Sequence, residues 1–333
     1  MANVQRHEAI VAKVHALRAK LLQPADYAEA IKSNDLNATL RKWYPDMPAE
    51  SKVFQLETAF LNQFQSEIES IYFYYSFEYR AVLQRLLMRF EIEHIKRSLR
   101  AITTHDVTTH PPIILSSMLK HVDDQLFQQA RTYRELADAM QYAPYRKIIE
   151  SMKHTDEDRL FHAEMSLDKE YFRGLSDVRK KLQPEDRHIL SEGVGVHVDM
   201  LNINWIRRAK STFHISPEEI FNYTLSRGKR IGLKQQRILS YMSLTELDEW
   251  IARSPYREVF DGNPIGQDRR IERFLYRTLR ALEQTYPISL APVIAYLHEV
   301  EYQMRDLDMI VEARDYQVDV YNELLGRQVG VWR

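Results

Sequence analysis

The chain is 333 residues long, 44% hydrophobic and close to neutral, with 46 Lys and Arg against 47 Asp and Glu. Its length allows two or three domains, and the lack of a basic excess argues against a protein that lives on phosphate backbones. With no cysteine there is no disulfide, thiolate metal site or cysteine nucleophile, and 9 Gly with 12 Pro suit long helices better than turn-rich β architecture.

In chain order, Met1 to Lys20 reads as a charged amphipathic helix, not a secretory leader. "QPADYAEAIKSNDL" follows from Gln23, and Leu56, Phe60 and Phe64 then recur at the helical spacing i, i+4, i+8. The aromatic run "IYFYYSFEYR" (Ile71 to Arg80) reads as a helix packed into the core, because a base-stacking platform would need more cations than Arg80 alone. Ile92, Ile95, Leu99 and Ile102 form a second apolar stripe. Breaks are expected at Asp46–Ser51, Thr103–Pro112, Glu192–Gly195, His214–Pro217, Arg227–Gly232, Gly262–Gly266 and Ser289–Pro292, where Pro, Gly, Ser and Asn gather. No run of about 18 apolar residues exists, so no membrane span is expected.

A long-period repeat organises these elements. "TYRELADAMQYAPYRKII" from Thr132 matches "SLTELDEWIARSPYREVF" from Ser243: Leu136 falls on Leu247, and Pro144-Tyr145-Arg146 on Pro255-Tyr256-Arg257. Both open with a capping box, Thr132 with Glu135 and Ser243 with Glu246. The segment from Gln23 is a fainter copy, with Tyr27 in the place of Leu136. A second element recurs as "EIEHIKRSLRAI" (from Glu91), "DMLNINWIRRAK" (from Asp199) and "QMRDLDMIVEAR" (from Gln303), placing His94, Asn202 and Asp306 at one register. The chain therefore reads as three helical units, 1–108, 109–228 and 229–333. Stacking as a solenoid or closing as a ring are both open at this point.

The C-terminal stretch "SLAPVIAYLHEVEYQMRDLDMIVEARDY" (Ser289 to Tyr316) resembles the signature of the C subunit of V-type/A-type ATPases, the counterpart of the eukaryotic d subunit. "DMLNINWIRRAKSTFHISPEEIFNYTLSRG" (Asp199 to Gly228) is similar to that family's second Asn-containing helix, and "VHALRAKLLQPADYAEAI" (Val14 to Ile31) to its opening helix. The departures are specific: the family Asn survives only as Asn202, the family Lys before Glu301 is Val300, and the second acid of that helix is Gln303. The resemblance implies an all-α fold, with three similar helical bundles in a funnel-like pseudo-threefold arrangement around a hollow. It implies a non-catalytic connector of a rotary motor for proton or sodium transport. Its partners would be the central shaft, made of the D and F subunits, and the membrane proteolipid ring. The connector would be peripheral, on the cytoplasmic side of the membrane, and would bind no nucleotide, cofactor or nucleic acid.

The residues themselves support no sharper chemistry. Neither G-x-x-x-x-G-K-[ST] nor G-x-G-x-x-G occurs, and G-x-S-x-G and H-E-x-x-H are absent too. His154, Asp158 and His162 share one helix face with Glu157 and Glu164 nearby, but a solvated charged face explains them better than a metal site, and no metal is expected. Two other readings stand beside the connector: a generic helical-repeat scaffold for peptides, and a metal-dependent enzyme built on that His face. As partner contacts we single out Lys96 and Arg100, Asn204 and Arg208, and Asp308 and Glu312. These are equivalent pairs on the second repeated helix, each spaced i, i+4 on one face and expected to line the hollow. Tyr145 and Tyr256, with His94, Asn202 and Asp306, are expected to be structural.

Overall fold

The computed structural model of the chain describes residues 2–47, 53–105, 116–152, 157–213, 215–262, 266–316 and 318–325. It is all-α: among the described residues the only β feature is one bridge between Val122 and Met140. The first four helices are α1 (Ala2–Arg18), α2 (Pro24–Lys32), α3 (Leu36–Trp43) and α4 (Val53–Tyr72). The long α5 (Phe77–Thr103) is followed by the short α6 (Ser116–Leu119), α7 (Asp124–Gln129), α8 (Tyr133–Asp138) and α9 (Ala143–Glu150), then by the long α10 (Glu157–Arg179). The next series is α11 (Pro184–Arg208), α12 (Pro217–Tyr223), α13 (Leu233–Tyr241), α14 (Leu244–Arg253), α15 (Arg257–Phe260) and α16 (Gln267–Thr285), and α17 (Ala291–Tyr316) ends the helices.

The capping boxes form as the sequence requires. Thr132 and Glu135 open α8, and Ser243 and Glu246 open α14, each hydroxyl accepting from an amide of the first turn while the Glu accepts from the cap amide. At α2 half of the device recurs, the Asp26 carboxylate accepting from the Gln23 amide at 2.6 Å. The Pro-Tyr pairs do not end these capped helices. Pro144 and Tyr145 lie in the first turn of α9, and Tyr256 caps α15.

Two expectations from composition need correction. The glycines at 193 and 195 do not break a helix, since α11 runs through them without interruption. They are there for close approach: a Cβ on Gly195 would stand 3.0 Å from the Lys229 amide nitrogen, and one on Gly193 3.0 Å from Leu279. Nor is the aromatic run one buried helix. A turn at 73–76 separates α4 from α5, so Ile71, Tyr75 and Tyr79 are buried while Phe73, Tyr74 and Phe77 are exposed.

The long helices pair around the molecule. α5 packs on α10, α16 on both α17 and α11, and α17 also on α4. The α5–α10 pair straddles the division of the sequence at 108/109, α11–α16 that at 228/229, and α4–α17 joins the first unit to the third, while α16–α17 lies within the third unit. Most of the apolar core is one continuous cluster. A second cluster joins both chain ends, burying Leu22, Tyr27, Leu40 and Phe60 against Leu307, Ile310 and Leu324. No helix among the described residues is long and apolar enough to cross a membrane.

Candidate functional site

Asp186, in the first turn of α11, fixes the relative direction of the three repeated long helices. Its carboxylate accepts from the Tyr79 hydroxyl at the start of α5 and from the Leu290 amide just before α17 (2.8 Å), and it lies 3.2 Å from His7 Nε2. The N-terminal ends of α5, α11 and α17 thus meet at one point, and the helices run from there toward a common opening.

Between them lies a cavity of about 750 Å³, walled by α5, α11 and α17 with help from α10 and α16. Its lining repeats the sequence register layer by layer. Nearest the Asp186 end is Arg89/His197/Glu301, followed by Glu93/Leu201/Arg305, Lys96/Asn204/Asp308, Arg97/Trp205/Met309 and, outermost, Arg100/Arg208/Glu312. Each column steps every three or four residues, which is one face of a helix. All six residues singled out as partner contacts line this one cavity.

The deep layers are cross-linked by charge. Arg89 lies 3.0 Å from Glu301, whose carboxylate also takes Arg305 at 2.7 Å, and Arg305 reaches Glu272 as well. Arg89 also stands 3.2 Å from His298 Nδ1. Burial, then Arg89, holds His298 well below its ordinary pKa, and burial with Arg89 and Arg305 does the same to His197. Burial pushes the Glu301 carboxyl up to about 7 against the pull of Arg89. Although burial works to raise Glu93, Lys96, Arg305 and Arg89 hold it down to about 2. Of the six contact candidates, Lys96 is buried and committed to Asp168 (2.6 Å) and Glu93 (3.3 Å). Arg100 is exposed and pairs with Glu164 at 2.6 Å, Asn204 accepts from Gln267 at 2.6 Å, and Arg208 and Glu312 are exposed at the mouth.

Behind the cavity wall, each long helix holds a buried polar hub. Asp199 accepts from the Arg230 amide (2.7 Å), the Ile231 amide (3.0 Å) and the Tyr256 hydroxyl (2.6 Å). The equivalent Glu91 takes His121 (2.9 Å) and the Tyr145 hydroxyl (3.5 Å). The equivalent Gln303 accepts from the Leu22 amide and donates to the Tyr44 hydroxyl, both at 2.7 Å. One turn on, Asn202 makes two hydrogen bonds to the Leu225 backbone, and Asp306 accepts from the Leu325 amide and from Arg269. His94 is buried at the same register. These groups lock the returning chain to the helix, and Tyr145 and Tyr256 are buried with them. Sequence reading missed Tyr44, whose register is shifted relative to the copy from Gln23, and the deep Arg89/His197/Glu301 layer. The constant offsets of 108 and 104 residues between Ala101, Ala209 and Ala313 would have found that layer.

The alternative metal face gains nothing. His154 and the Asp158 side chain lie outside the described residues, and His162 Nε2 stands 3.6 Å from Glu219 beside the Tyr223 ring. Among the described residues no three His, Asp or Glu side chains converge as metal ligands.

The description "ATP synthase (C/AC39) subunit" matches residues 10–321, nearly the whole chain. The chain belongs to the ATP synthase (C/AC39) subunit family. Among relatives named as the C subunit of A-type ATP synthase, the one from Thermococcus onnurineus is 23% identical over 322 residues, covering 92% of this chain and 86% of its own. The one from Methanobrevibacter smithii is 20% identical over 319 residues, covering 91% and 83%. The match to the Methanosarcina mazei protein, at 24% identity, spans only about half of either length, 55% of each. In this C/AC39 family member Asp199 and Asn202 are hydrogen-bonded to the backbone that returns past α11, and Val300 lies buried in the apolar core.

Proposed function

We propose that this chain is the non-catalytic central-stalk connector of a rotary V/A-type ATPase. The foot of a D–F shaft would sit in the cavity, and the Asp186 end would rest on the membrane rotor ring, on the cytoplasmic side. The carrying observation is the cavity itself: three equivalent helices present equivalent positions to one space, and those positions differ in charge from wall to wall. A shaft is not threefold symmetric, so similar walls that grip it must differ where they touch it. At the opposite end, Phe73, Tyr74, Phe77 and Ile288 are exposed around the start of α5 and of α17, an apolar surface suited to a protein ring. The absence of a phosphate loop from the sequence agrees with a protein that turns but does not hydrolyse.

Co-purification from native membranes tests the assignment, since a connector brings down the other components of the ATPase. The isolated protein is expected to show no micromolar ATP affinity by calorimetry. Reversing Arg100 and Arg208 together should weaken binding to a D–F complex and shrink its salt dependence. Unchanged affinity and salt slope would remove the cavity mouth from the contact.

A further inference from the structure

We propose that the outer corner of the Asp186 end, built by Arg179, Arg187 and Arg227, binds the phosphate headgroups of an anionic membrane surface. This rests on the connector reading, which turns that end toward the membrane, and adds a direct contact with lipid beside the ring.

Three equivalent turns lie at that end, and one differs from the other two. The turn into α5 exposes Phe73 and Tyr74, and the turn into α17 exposes Ile288. The turn into α11 instead exposes Lys180 and Lys181, with Arg187 exposed in the helix that follows and Arg179 half-buried in the last turn of α10. Apolar turns suit a protein ring, whereas a turn of cations suits a surface that carries negative charge. The loop 227–230 joins the same corner, because the Lys229 amide donates to the Gly195 carbonyl (3.1 Å), one turn of α11 beyond Ser191. It brings Arg227, Lys229 and Arg230, all exposed. Of the acids nearby, Asp177 pairs with Lys180 at 2.8 Å, Glu192 pairs with Lys229, and Glu185 lies in the first turn of α11, where it suits the helix dipole.

The fold leaves much of the donor capacity of the three arginines unused. Arg179 donates through Nη1 to the Ser191 hydroxyl, which in turn donates to the Arg187 carbonyl. Its Nε is buried without an acceptor. Arg187 gives Nη2 to the Lys180 and Leu182 carbonyls, at 3.2 and 3.0 Å. The Arg227 side chain has no hydrogen-bond partner among the described residues. A guanidinium offers donors on all three nitrogens and matches the oxygens of a phosphate two at a time. Burial, then Arg227 and Arg187, lowers the pKa of Arg179, so the three charges feel one another. Arg227 is also held at φ 72°, in the left-handed region that Gly or Asn adopts more easily. The turn there is tight because a Cβ on Gly228 would stand 1.9 Å from Asp199 Oδ1. The backbone thus asks for a tight turn at this point but does not ask for arginine.

Flotation of the full chain with vesicles tests the corner. Vesicles of equal parts phosphatidylcholine and phosphatidylglycerol should carry the protein, and phosphatidylcholine alone should not. Each cation near an anionic surface adds about fivefold to affinity, so Arg179→Gln, Arg187→Gln and Arg227→Gln together should weaken binding about a hundredfold, with the gap shrinking at high salt. Because Arg187 also closes the turn after α10, the measurement is repeated with Lys180→Gln, Lys181→Gln and Arg227→Gln, which should lose as much, with circular dichroism reporting the fold. Lys234→Gln, Arg237→Gln and Arg253→Gln remove the same charge elsewhere and should stay within about threefold of the wild type. Equal losses in the corner and control variants would show a response to net charge and overturn the site. Binding no tighter to mixed than to neutral vesicles would overturn it as well; if calorimetry then finds inorganic phosphate or a polyglutamate peptide held by the same arginines, the corner takes a free anion or an acidic protein and not a membrane. None of these outcomes alters co-purification with the ATPase, so the inference can fail while the connector reading stands. Lost co-purification with vesicle binding intact would remove the connector reading alone.

Discussion

The two sides of the three repeated helices have diverged to different extents. On the buried side, Glu91, Asp199 and Gln303 keep one task, each joined to a tyrosine and to the chain that returns beneath it, even though the group has changed from carboxylate to amide. On the cavity side the same helices carry Arg100, Arg208 and Glu312 at one register, a full reversal of sign. An internal hub answers to the fold, and the fold asks the same of it three times. A cavity wall answers to whatever enters it, which need not be the same from three directions.

The hub side should break hardest. Replacing Asp199 with Ala leaves two amides and a buried hydroxyl without an acceptor and should cost about 3–5 kcal/mol in urea unfolding. Tyr145→Ala and Tyr256→Ala should each cost a similar about 3–5 kcal/mol through lost packing. A loss below about 1 kcal/mol in all three would mean that the repeated hubs are not what holds the walls. Next in size is a pH effect from the deep layer. His197 and His298 sit below the ordinary value of 6.5, so stability is unaffected by them above that pH. Below it the unfolded chain takes up protons that the folded chain refuses, so each histidine lowers stability as pH falls. Glu301, raised to about 7, acts in the opposite sense, favouring the fold as pH falls from 7 toward 4.5. Between pH 6.5 and 5 His197→Gln with His298→Gln should therefore hold its stability better than the wild type as pH falls; parallel curves would refute the assignment.

Finer comparisons follow within the hubs. Tyr256 donates to Asp199 at 2.6 Å and Tyr145 to Glu91 at only 3.5 Å, so Tyr256→Phe should cost about 1–2 kcal/mol and Tyr145→Phe under about 0.5 kcal/mol by thermal melting. The smallest effect belongs to the cavity mouth. Arg208→Ala should change stability by less than about 1 kcal/mol, as expected of an exposed charge. A larger loss would make Arg208 part of the packing and narrow the contrast between the two sides.

Much of the fold was readable because its punctuation is local. Thr132 with Glu135 and Ser243 with Glu246 mark helix starts by chemistry that needs no distant partner, and the apolar stripes at Leu56–Phe64 and Ile92–Ile102 needed only helical spacing. The six cavity residues were found because helical register carries a face from one copy to the next. What failed was non-local. Gly193 and Gly195 look like a break until Leu279 and Lys229 are seen pressed against them, contacts that no local pattern encodes. Phe73, Tyr74 and Phe77 look like core until the turn at 73–76 directs them outward. The ion pairs that commit Lys96 to Asp168 and Arg100 to Glu164 join residues more than sixty positions apart, so two apparent docking charges are already partly engaged.

The pairing of α17 with α4 has a consequence for synthesis. Leu22, Tyr27, Leu40 and Phe60 leave a ribosome long before Leu307, Ile310 and Leu324, which cover them. At about 5–20 residues per second the wait across the intervening roughly 250 residues is on the order of 12–50 s. Through that time α5 to α16 can assemble two walls, while the foundation of the third stands open to chaperones and proteases. A nascent chain arrested after Thr285 should accordingly be cut first within α2 to α4, and release of a chain that includes α17 should cover Leu22, Tyr27, Leu40 and Phe60 and end that sensitivity in one step.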